Sequence, residues 1–407
     1  MTVRKHHVIV GGSAAGVAAA FALRNSGFDG TVTVVEAGSE LPYERPPLSK
    51  ALTGGRDVFL RPIALLPDYR AAEIDMRLGT RVRALDPATR TVLLSGGGTL
   101  TADRVLLATG VSARLLNVPG SDLPGVLTLR DVDDARQVAA AIAAGGPVVV
   151  IGGGFIGMEV AAAARTAGCD VTVVETSPLP LLHALGRPLA ELVAELHRAH
   201  GVRLRTGTSV AVFHGAQAVE EVELVSGERL PAAVVVVGVG VVPNDALAGE
   251  TGVLRDRGIV VDGHGRTAQP WILAAGDVTV QPHPHLAAPG RIEHWDNAQR
   301  QGAVAGAAMA GNLRAHDAVP YFWSEQYGLT LQMFGRPRPG DELVLRPDSG
   351  PWRFVGLWLR YGAVAAAAGL AAPREMTAAR RLVERSAPVP AERLRDPTTD
   401  LRRIARQ

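Results

Sequence analysis

Two short runs of glycine and other small residues, each followed roughly 20 residues later by a glutamate, are the segments best suited to chemistry. In such a run the backbone N–H groups approach a pyrophosphate at a helix N-terminus, and the acid accepts hydrogen bonds from ribose hydroxyls. Two copies therefore predict two dinucleotide sites. The first run is Gly11, Gly12, Ser13, Ala14, Ala15 and Gly16, with Glu36; the second is Gly152, Gly153, Gly154, Phe155, Ile156 and Gly157, with Glu175.

Each run stands between a short apolar strand and a helix, and a second strand then leads to the acid. The patterns predict strands over 7–10, 31–35, 148–151 and 171–175, with helices to about residues 25 and 166. Ser13 replaces the second glycine of the first run, so that copy is the weaker match. We therefore predict an α/β fold with two Rossmann-like dinucleotide-binding domains.

The two acids also bear on which dinucleotides bind. Glu36 and Glu175 disfavour a 2′-phosphate, for which an arginine would be expected. The first site therefore suits the AMP half of FAD, and the second suits NADH over NADPH. Arg187 lies beyond Glu175 and could be recruited to a phosphate, so a strict preference stays open.

Three further apolar strands, over 104–110, 234–238 and 272–277, end in small-residue turns. Together they resemble the two ATG-type motifs and the GD motif of the two-dinucleotide flavoproteins. Segments 41–50, 293–302 and 321–326 make the chain similar, from about residue 5 to 385, to the ferredoxin reductases of bacterial oxygenase systems. That family includes putidaredoxin reductase, rubredoxin reductase and the biphenyl dioxygenase reductase component.

The resemblance implies a glutathione-reductase-like fold with an added C-terminal α/β domain. The expected domains are an FAD-binding domain in two segments, 1–110 and 240–319, an NAD-binding domain over 111–239, and a C-terminal domain over 320–407. Residues 388–407 are expected to form a loosely packed, arginine-rich end.

The resemblance also implies the site residues. Lys50 would lie by the flavin N5, Glu159 would face the nicotinamide amide, and Trp323 would lie near both rings, making these three the expected catalytic residues. The implied FAD contacts are Gly11, Ser13, Ala14, Ala15, Gly16, Glu36, Arg45, Lys50, Val82, Ala108, Thr109, Gly110, Arg130, Asp277 and Trp295. The implied NAD contacts are Gly152, Gly154, Phe155, Ile156, Gly157, Glu159, Glu175 and Gly240.

Lysine is rare in this chain, since only Lys5 and Lys50 are found among its 42 basic residues. A lysine kept within a motif suggests that arginine will not serve there, because the two differ in geometry and in pKa behaviour. A buried lysine would stabilise negative charge on a reduced flavin, and Glu159 could pair with it. The alternatives are a solvated helix-end lysine for Lys50, and pairing of Glu159 with Arg165 or another surface base.

The single cysteine, Cys169, excludes a disulfide framework, a CxxC redox pair and a four-cysteine metal site, and no metal is expected. Electrons must then leave the flavin directly, which suits a one-electron carrier. We predict an FAD-dependent, NADH-oxidising ferredoxin reductase whose partner is a two-iron ferredoxin feeding a haem monooxygenase or Rieske oxygenase. The alternatives are an NADH reductase for rubredoxin, a quinone or a small molecule, and a redox-controlled binding flavoprotein like apoptosis-inducing factor.

Composition sets the outer bounds. The 407 residues are 47% apolar and 20% charged, which is typical of a globular protein and excludes a largely disordered chain. A net charge of +2 without a long basic run gives no footprint for nucleic acid. Glycines interrupt both the apolar N-terminus and the segment 139–164, so neither a signal peptide nor a membrane span is expected. We expect a cytoplasmic protein, either monomer or homodimer.

Overall fold

The computed structural model describes residues 4–54, 58–346, 350–386 and 388–406. The helices are α1 Ala14–Asn25, α2 Leu66–Ala71, α3 Val132–Ala144, α4 Phe155–Thr166, α5 Leu182–Ala199, α6 Trp295–Met309, α7 Pro373–Arg385, α8 Ala391–Arg395 and α9 Leu401–Ile404. Short 3₁₀ turns cover Leu52–Gly54 and Ala246–Ala248.

The strands follow in chain order. They are β1 His6–Val10, β2 Thr31–Val35, β3 Ile74–Arg77, β4 Val82–Asp86, β5 Thr91–Leu94, β6 Thr99–Thr101, β7 Arg104–Leu107, β8 Val111–Ala113, β9 Val126–Leu127, β10 Pro147–Ile151, β11 Asp170–Glu175, β12 Arg203–Thr206, β13 Val210–His214, β14 Glu221–Leu224, β15 Arg229–Pro231, β16 Val234–Val237, β17 Val241–Pro243, β18 Ile259–Val260, β19 Ile272–Ala274, β20 Thr279–Val280, β21 Tyr321–Gln326, β22 Leu329–Gly335, β23 Glu342–Arg346, β24 Phe354–Arg360 and β25 Ala363–Leu370.

The chain divides into two compact units, each built from separate segments. The first unit comprises Met1–Glu44, Leu60–Ser112 and Val242–Pro320, and the second comprises Arg45–Phe59, Ala113–Val241 and Tyr321–Gln407. The segment that contains Lys50 thus belongs to the same unit as the second glycine run. The three-domain division and its boundaries stay a prediction.

The first unit is built on a parallel sheet in the order β19-β7-β1-β2-β3. Side chains alternate across β1, so that Val8 and Val10 belong to one apolar core and Ile9 to another. Burial on both faces accounts for the uninterrupted apolar run, as expected of a parallel strand covered on each side. Helices α1 and α6 pack together over the Ile9 side.

Close contact between α1 and α6 depends on two glycines of α6. A Cβ at Gly302 would lie 2.2 Å from the carbonyl oxygen of Ala15, and one at Gly306 would lie 2.2 Å from that of Ala19. These backbone oxygens cannot move aside without shifting a whole helix. Glycine is therefore required at both positions by packing, although both lie within a helix.

We expect Gly302→Ala to lower the free energy of unfolding by about 2–3 kcal/mol, because the added methyl group overpacks a backbone contact. Urea denaturation followed by circular dichroism measures the change. Ala303→Ser, on the next residue of the same helix, is the control and should shift stability by less than about 0.5 kcal/mol. Equal stability of G302A and the parent would contradict the packing argument.

The second unit contains two five-stranded sheets. One is parallel, in the order β12-β11-β10-β16-β9, and is flanked by α3, α4 and α5. The other is antiparallel, in the order β21-β22-β25-β24-β23, with α7 packed on β22 and β25. The predicted strands and helices around both glycine runs agree with the structure to within one residue.

The C-terminal segment is packed more closely than the sequence predicts. Residues 388–406 are not loosely packed, because Val389, Leu394, Leu401 and Ile404 are all buried. The Arg346 guanidinium also donates to the carbonyl oxygen of Thr399 at 2.9 Å. Apolar residues spaced between arginines anchor this segment, a pattern that arginine-rich composition conceals. Within the described ranges, no helix is both long and apolar enough to cross a membrane.

Candidate dinucleotide and redox site

The first glycine run forms a tight turn between β1 and α1. Gly11 has φ +104°, and a Cβ there would lie 2.3 Å from the carbonyl oxygen of Ala108. A Cβ on Gly16 would lie 1.8 Å from the Gly11 oxygen, so helix and loop touch through backbone alone. The Glu36 carboxylate accepts the Gly12 N–H at 2.6 Å. Only glycine satisfies the two tight positions, and the acid is held against the loop.

The second run repeats this geometry in the other unit. Gly152 also has φ +104°, with a would-be Cβ 2.4 Å from the Gly238 oxygen, and Gly157 would meet the Gly152 oxygen at 2.0 Å. The Glu175 carboxylate accepts the Gly153 N–H at 2.6 Å. The equivalence of both loops in φ, contact and acid establishes a repeated dinucleotide-binding turn.

Glu175 is held as an anion. Burial alone would raise its pKa, but hydrogen bonds from Ser177 and Gly153 outweigh burial and hold the pKa below its usual value. The Ser177 N–H lies 2.6 Å from Oε1. An ionised carboxylate with lone pairs to spare can accept ribose hydroxyls and repels a 2′-phosphate.

The N-termini of α1 and α4 are open to an anion. Ser13, the N-cap residue of α1, makes no side-chain hydrogen bond to its helix, and Gly154, the N-cap residue of α4, has no side chain to make one. Neither helix has an acid in its first turn. By contrast, Asp131 caps α3 by accepting the N–H groups of Asp133 and Asp134. The uncapped donors and positive helix ends of α1 and α4 fit the pyrophosphates of two dinucleotides.

The serine in the first run is accommodated by local geometry. Ser13 has φ −103°, an ordinary value for an L-residue. At the matching position of the second run, a Cβ on Gly154 would meet nothing within 4 Å. This third loop position therefore has room for a small side chain, and the departure from the glycine pattern does not distort the turn.

The other predicted FAD residues divide between the units. In the first unit, Val82 begins β4, Ala108, Thr109 and Gly110 follow β7, Asp277 follows β19, and Trp295 begins α6. Arg45, Lys50 and Arg130 lie in the second unit.

Two side chains that support these turns had not been assigned a role from sequence. The Asn244 side-chain amide donates to the Thr109 main-chain oxygen at 3.0 Å. The Thr109 hydroxyl in turn donates to the Asn244 main-chain oxygen at 2.7 Å. Gln301, fully buried, accepts the N–H of Gly276 at 2.8 Å. Gln301 lies within segment 293–302, and Asn244 lies shortly after the strand predicted over 234–238. Their position near these motifs was the signal in the sequence that could have identified them.

Lys50 and Glu159 are brought together in the second unit. The Lys50 Nζ lies 3.2 and 3.3 Å from the two carboxylate oxygens of Glu159, and it also donates to the Pro46 oxygen at 2.9 Å. Glu159 is 3% exposed, and the Lys50 side chain is 18% exposed. Arg165, the alternative partner, donates instead to the oxygens of Cys169 and His200.

Three further groups also donate hydrogen bonds to the Glu159 carboxylate. The Ser324 hydroxyl lies 2.6 Å from Oε1, the Glu325 N–H lies 3.2 Å from Oε1, and the Ser49 hydroxyl donates to Oε2. This buried carboxylate thus has one cation and three further hydrogen-bond donors around it. The helix places this group two residues beyond Gly157, so the ion pair lies beside the second glycine run.

Strand β21 presents different residues on its two faces. Phe322 meets the Phe155 ring at 4.1 Å between centroids, and Ser324 meets Glu159, so both point towards α4. Trp323 lies on the opposite face, where its ring stacks with Tyr321 at 5.7 Å. The structure thus joins two of the three predicted catalytic residues, Lys50 and Glu159, but does not bring Trp323 to them.

The remaining predicted NAD residues surround the second run. Phe155 and Ile156 open α4, and the Ile156 side chain is 43% exposed. Gly240 follows β16 and has φ +99°. These positions line the carboxyl edge of the parallel sheet, where α/β folds bind dinucleotides.

Two glycine loops with paired acids and uncapped helices define a two-dinucleotide oxidoreductase fold. Residues 5–302 match the pyridine nucleotide-disulphide oxidoreductase model, and residues 321–405 match the reductase C-terminal model. The chain is 38% identical to the ferredoxin reductase component of chlorobenzene dioxygenase from Cupriavidus sp. (strain PS12), covering 98% of each. It is 39% identical to rhodocoxin reductase from Rhodococcus erythropolis, covering 97% of this chain and 93% of that protein.

Solved structures of ferredoxin reductases also match the chain over nearly its whole length. The ferredoxin reductase of the CYP199A2 system from Rhodopseudomonas palustris superposes with a TM-score of 0.95 at 30% identity, covering 98% of this chain and 100% of that one. The covalent putidaredoxin reductase–putidaredoxin complex gives 0.92 at 34% identity, covering 98% of each. The chain belongs to the pyridine nucleotide-disulphide oxidoreductase family. The predicted fold, family resemblance and FAD and NAD(H) cofactors are confirmed.

Proposed function

We propose that this protein is an NADH-dependent ferredoxin reductase that passes electrons singly to a two-iron ferredoxin serving a haem monooxygenase or Rieske oxygenase. The observation that carries the proposal is a buried, ion-paired and thiol-free Lys50–Glu159 site directly after an NAD-type loop. Relatives named as ferredoxin reductases match the chain over nearly its whole length.

Bound FAD would supply hydride acceptance from NADH and release of single electrons. The chain would hold the FAD pyrophosphate at α1 and the adenosine ribose at Glu36, and it would hold the corresponding groups of NADH at α4 and Glu175. Lys50 would offset negative charge, and Glu159 would orient the nicotinamide amide. The FAD and NAD contacts implied by the family resemblance, including Arg45, Arg130, Asp277, Trp295 and Trp323, are proposed to keep those roles.

The one thiol of the chain is poorly placed for redox chemistry, which supports direct release of electrons from the flavin. Cys169 is 3% exposed and precedes β11, and burial raises the pKa of its thiol, so a reactive thiolate is disfavoured. We further propose that the protein works in the cytoplasm, where NADH is supplied, and that the domains follow the predicted boundaries.

The test is anaerobic bleaching of the flavin by NADH, followed by cytochrome c reduction with and without a two-iron ferredoxin. Strong stimulation by the ferredoxin is expected. Turnover without any ferredoxin dependence would instead favour a reductase of rubredoxin, a quinone or a small molecule. Slow NADH oxidation with a long-lived charge-transfer complex would favour a redox-controlled binding flavoprotein.

Nucleotide choice gives a separate prediction. Glu175→Gln should raise the ratio of NADPH to NADH efficiency (kcat/KM) about tenfold, because the charge that repels a 2′-phosphate is removed while an acceptor oxygen remains. Steady-state kinetics with both nucleotides measures the ratio. Glu36→Gln, the matching change at the first loop, should leave the ratio unaltered. An unchanged ratio in E175Q would assign the preference elsewhere, for example to Arg187.

A further inference from the structure

A series of side chains, all buried except the half-buried Tyr327, leads away from Glu159 on the face of β21 that points to α4 and α5. We name it the Glu159 hydrogen-bond network, and its members are Tyr327, His197, Gln326, Ser324 and Glu159. Successive contacts are 3.1 Å from Tyr327 OH to His197 Nδ1, 2.8 Å from His197 Nε2 to Gln326 Oε1, 3.1 Å from Gln326 Nε2 to Ser324 Oγ, and 2.6 Å from Ser324 Oγ to Glu159 Oε1.

The network has one self-consistent direction when Glu159 is ionised. A carboxylate can only accept, so Ser324 must donate its single proton to Glu159. The Ser324 oxygen then accepts from the Gln326 amide N–H, which turns the amide oxygen towards His197. That oxygen requires an Nε2–H, and the bare Nδ1 of His197 accepts the Tyr327 hydroxyl.

His197 is built to stay neutral. Its side chain is fully buried, and burial lowers its pKa to about 4, although the bond to Gln326 opposes the shift. Burial likewise raises the pKa of Tyr327, so the phenol keeps its proton. Because an amide cannot pass a proton as an imidazole can, Gln326 interrupts any proton path. The network can therefore set orientation but cannot carry protons to Glu159.

We infer that His197 is a positioning residue for Glu159: as its Nε2–H tautomer it fixes the Gln326 amide, which obliges Ser324 to donate to the carboxylate. If the amide were reversed, Ser324 would donate to Gln326, and Glu159 would lose one of its donors. The inference rests on the proposed function, in which Glu159 orients the nicotinamide.

The first test is a double-mutant cycle on the holoenzyme, read out as the limiting rate of flavin bleaching by NADH under anaerobic conditions. Ser324→Ala removes the donor, and we expect about a tenfold loss. His197→Phe keeps a ring in place, and we expect a loss of five- to tenfold. Because His197 acts through Ser324, the double variant should be no slower than S324A. Multiplication of the two losses would overturn the inference, as would no effect of H197F.

The second test does not depend on turnover. Protein labelled with ¹⁵N-histidine should show His197 only as the Nε2–H tautomer, its signals being identified by their loss in H197F. In Glu159→Gln the amide at 159 can both donate and accept, so the direction is no longer imposed and the other tautomer should become populated. A histidine with a purely structural role would keep one tautomer in both proteins, which would refute the inference.

The two readouts separate the possible failures. If the parent protein is not bleached by NADH but His197 responds to E159Q, the proposed function fails and the coupling stands. If NADH bleaches the parent normally and His197 does not respond, the proposed function stands and the positioning role is refuted. Flavin absorbance relative to protein absorbance confirms that each variant retains its cofactor.

Discussion

Glu159→Gln is expected to slow the reduction of bound FAD by NADH about 100-fold, a loss typical of a misplaced reacting group. The carboxylate accepts Lys50, Ser49, Ser324 and the Glu325 N–H. An amide can accept on one side only, and its NH₂ group would face donors on the other. The nicotinamide would lose its orienting group, and Lys50 would lose its counter-charge.

Anaerobic stopped-flow spectroscopy of flavin bleaching measures this loss as a limiting rate at saturating NADH. Ser49→Ala is the matched control, because it removes one donor to the same carboxylate and leaves the charge pair in place. We expect S49A to lose tenfold or less. A limiting rate of E159Q within threefold of the parent would remove Glu159 from the hydride step.

Lys50→Arg tests the same pair from the other side. The Lys50 ammonium reaches Glu159 and the Pro46 oxygen as a compact charge, whereas a guanidinium is larger and planar. In a chain with 40 arginines and two lysines, we expect K50R to lose most of the NADH-dependent bleaching although its charge is kept. Full activity of K50R would show that charge alone suffices.

Acidification is expected to destabilise the first unit steeply between pH 6.5 and 5. Burial lowers the pKa of His7, His283 and His316 to about 4 each, and the neighbouring His316 and His285 imidazoles lower the pKa of His283 further. These three side chains are neutral when folded. When the chain unfolds their pKa values return to about 6.5, so the unfolded state binds more protons below that pH.

Stability falls with decreasing pH because the three histidines have lower pKa values in the folded state than in the unfolded state. Stability is fully present above pH 6.5 and falls with decreasing pH, by about 1.4 kcal/mol per pH unit for each histidine and about 4 for the three together. The second unit contains one such histidine among its described residues, His197, so its slope from histidines should be about a third as steep. Urea denaturation at a series of pH values measures both transitions.

His7→Phe isolates one contribution. His7 stacks on Phe28 with ring centroids 4.2 Å apart, and phenylalanine preserves such stacking without a titrating group. H7F should flatten the slope of the first unit by about 1.4 kcal/mol per pH unit. Phe28→Leu is the control, because it weakens the same contact but should lower stability equally at every pH. An unaltered slope in H7F would contradict the argument.

Local patterns predicted the elements around the loops well, but they did not predict every strand of the C-terminal sheet. Strand Thr31–Val35 was predicted to the residue, because β-branched residues buried on both faces leave a clear signal. Strand Ala363–Leu370 was not predicted, since alanine and glycine favour no strand. Its small residues are explained by packing: a Cβ at Gly369 would lie 2.5 Å from the Met376 sulfur of α7.

The sequence by itself determined the two glycine runs with their acids and the single cysteine, and from these it predicted two dinucleotide sites and electron release without a thiol. Glycine at a positive φ, an acid at a strand end and a count of cysteines are local facts that need no tertiary structure. Only the folded protein decided which partners surround Glu159, because Lys50 is 109 residues away and Ser324 is 165 residues away. Partners so far apart along the chain leave no periodic pattern in the sequence. The donors around Glu159 are brought together by burial, which exists only once the two sheets of the second unit have formed.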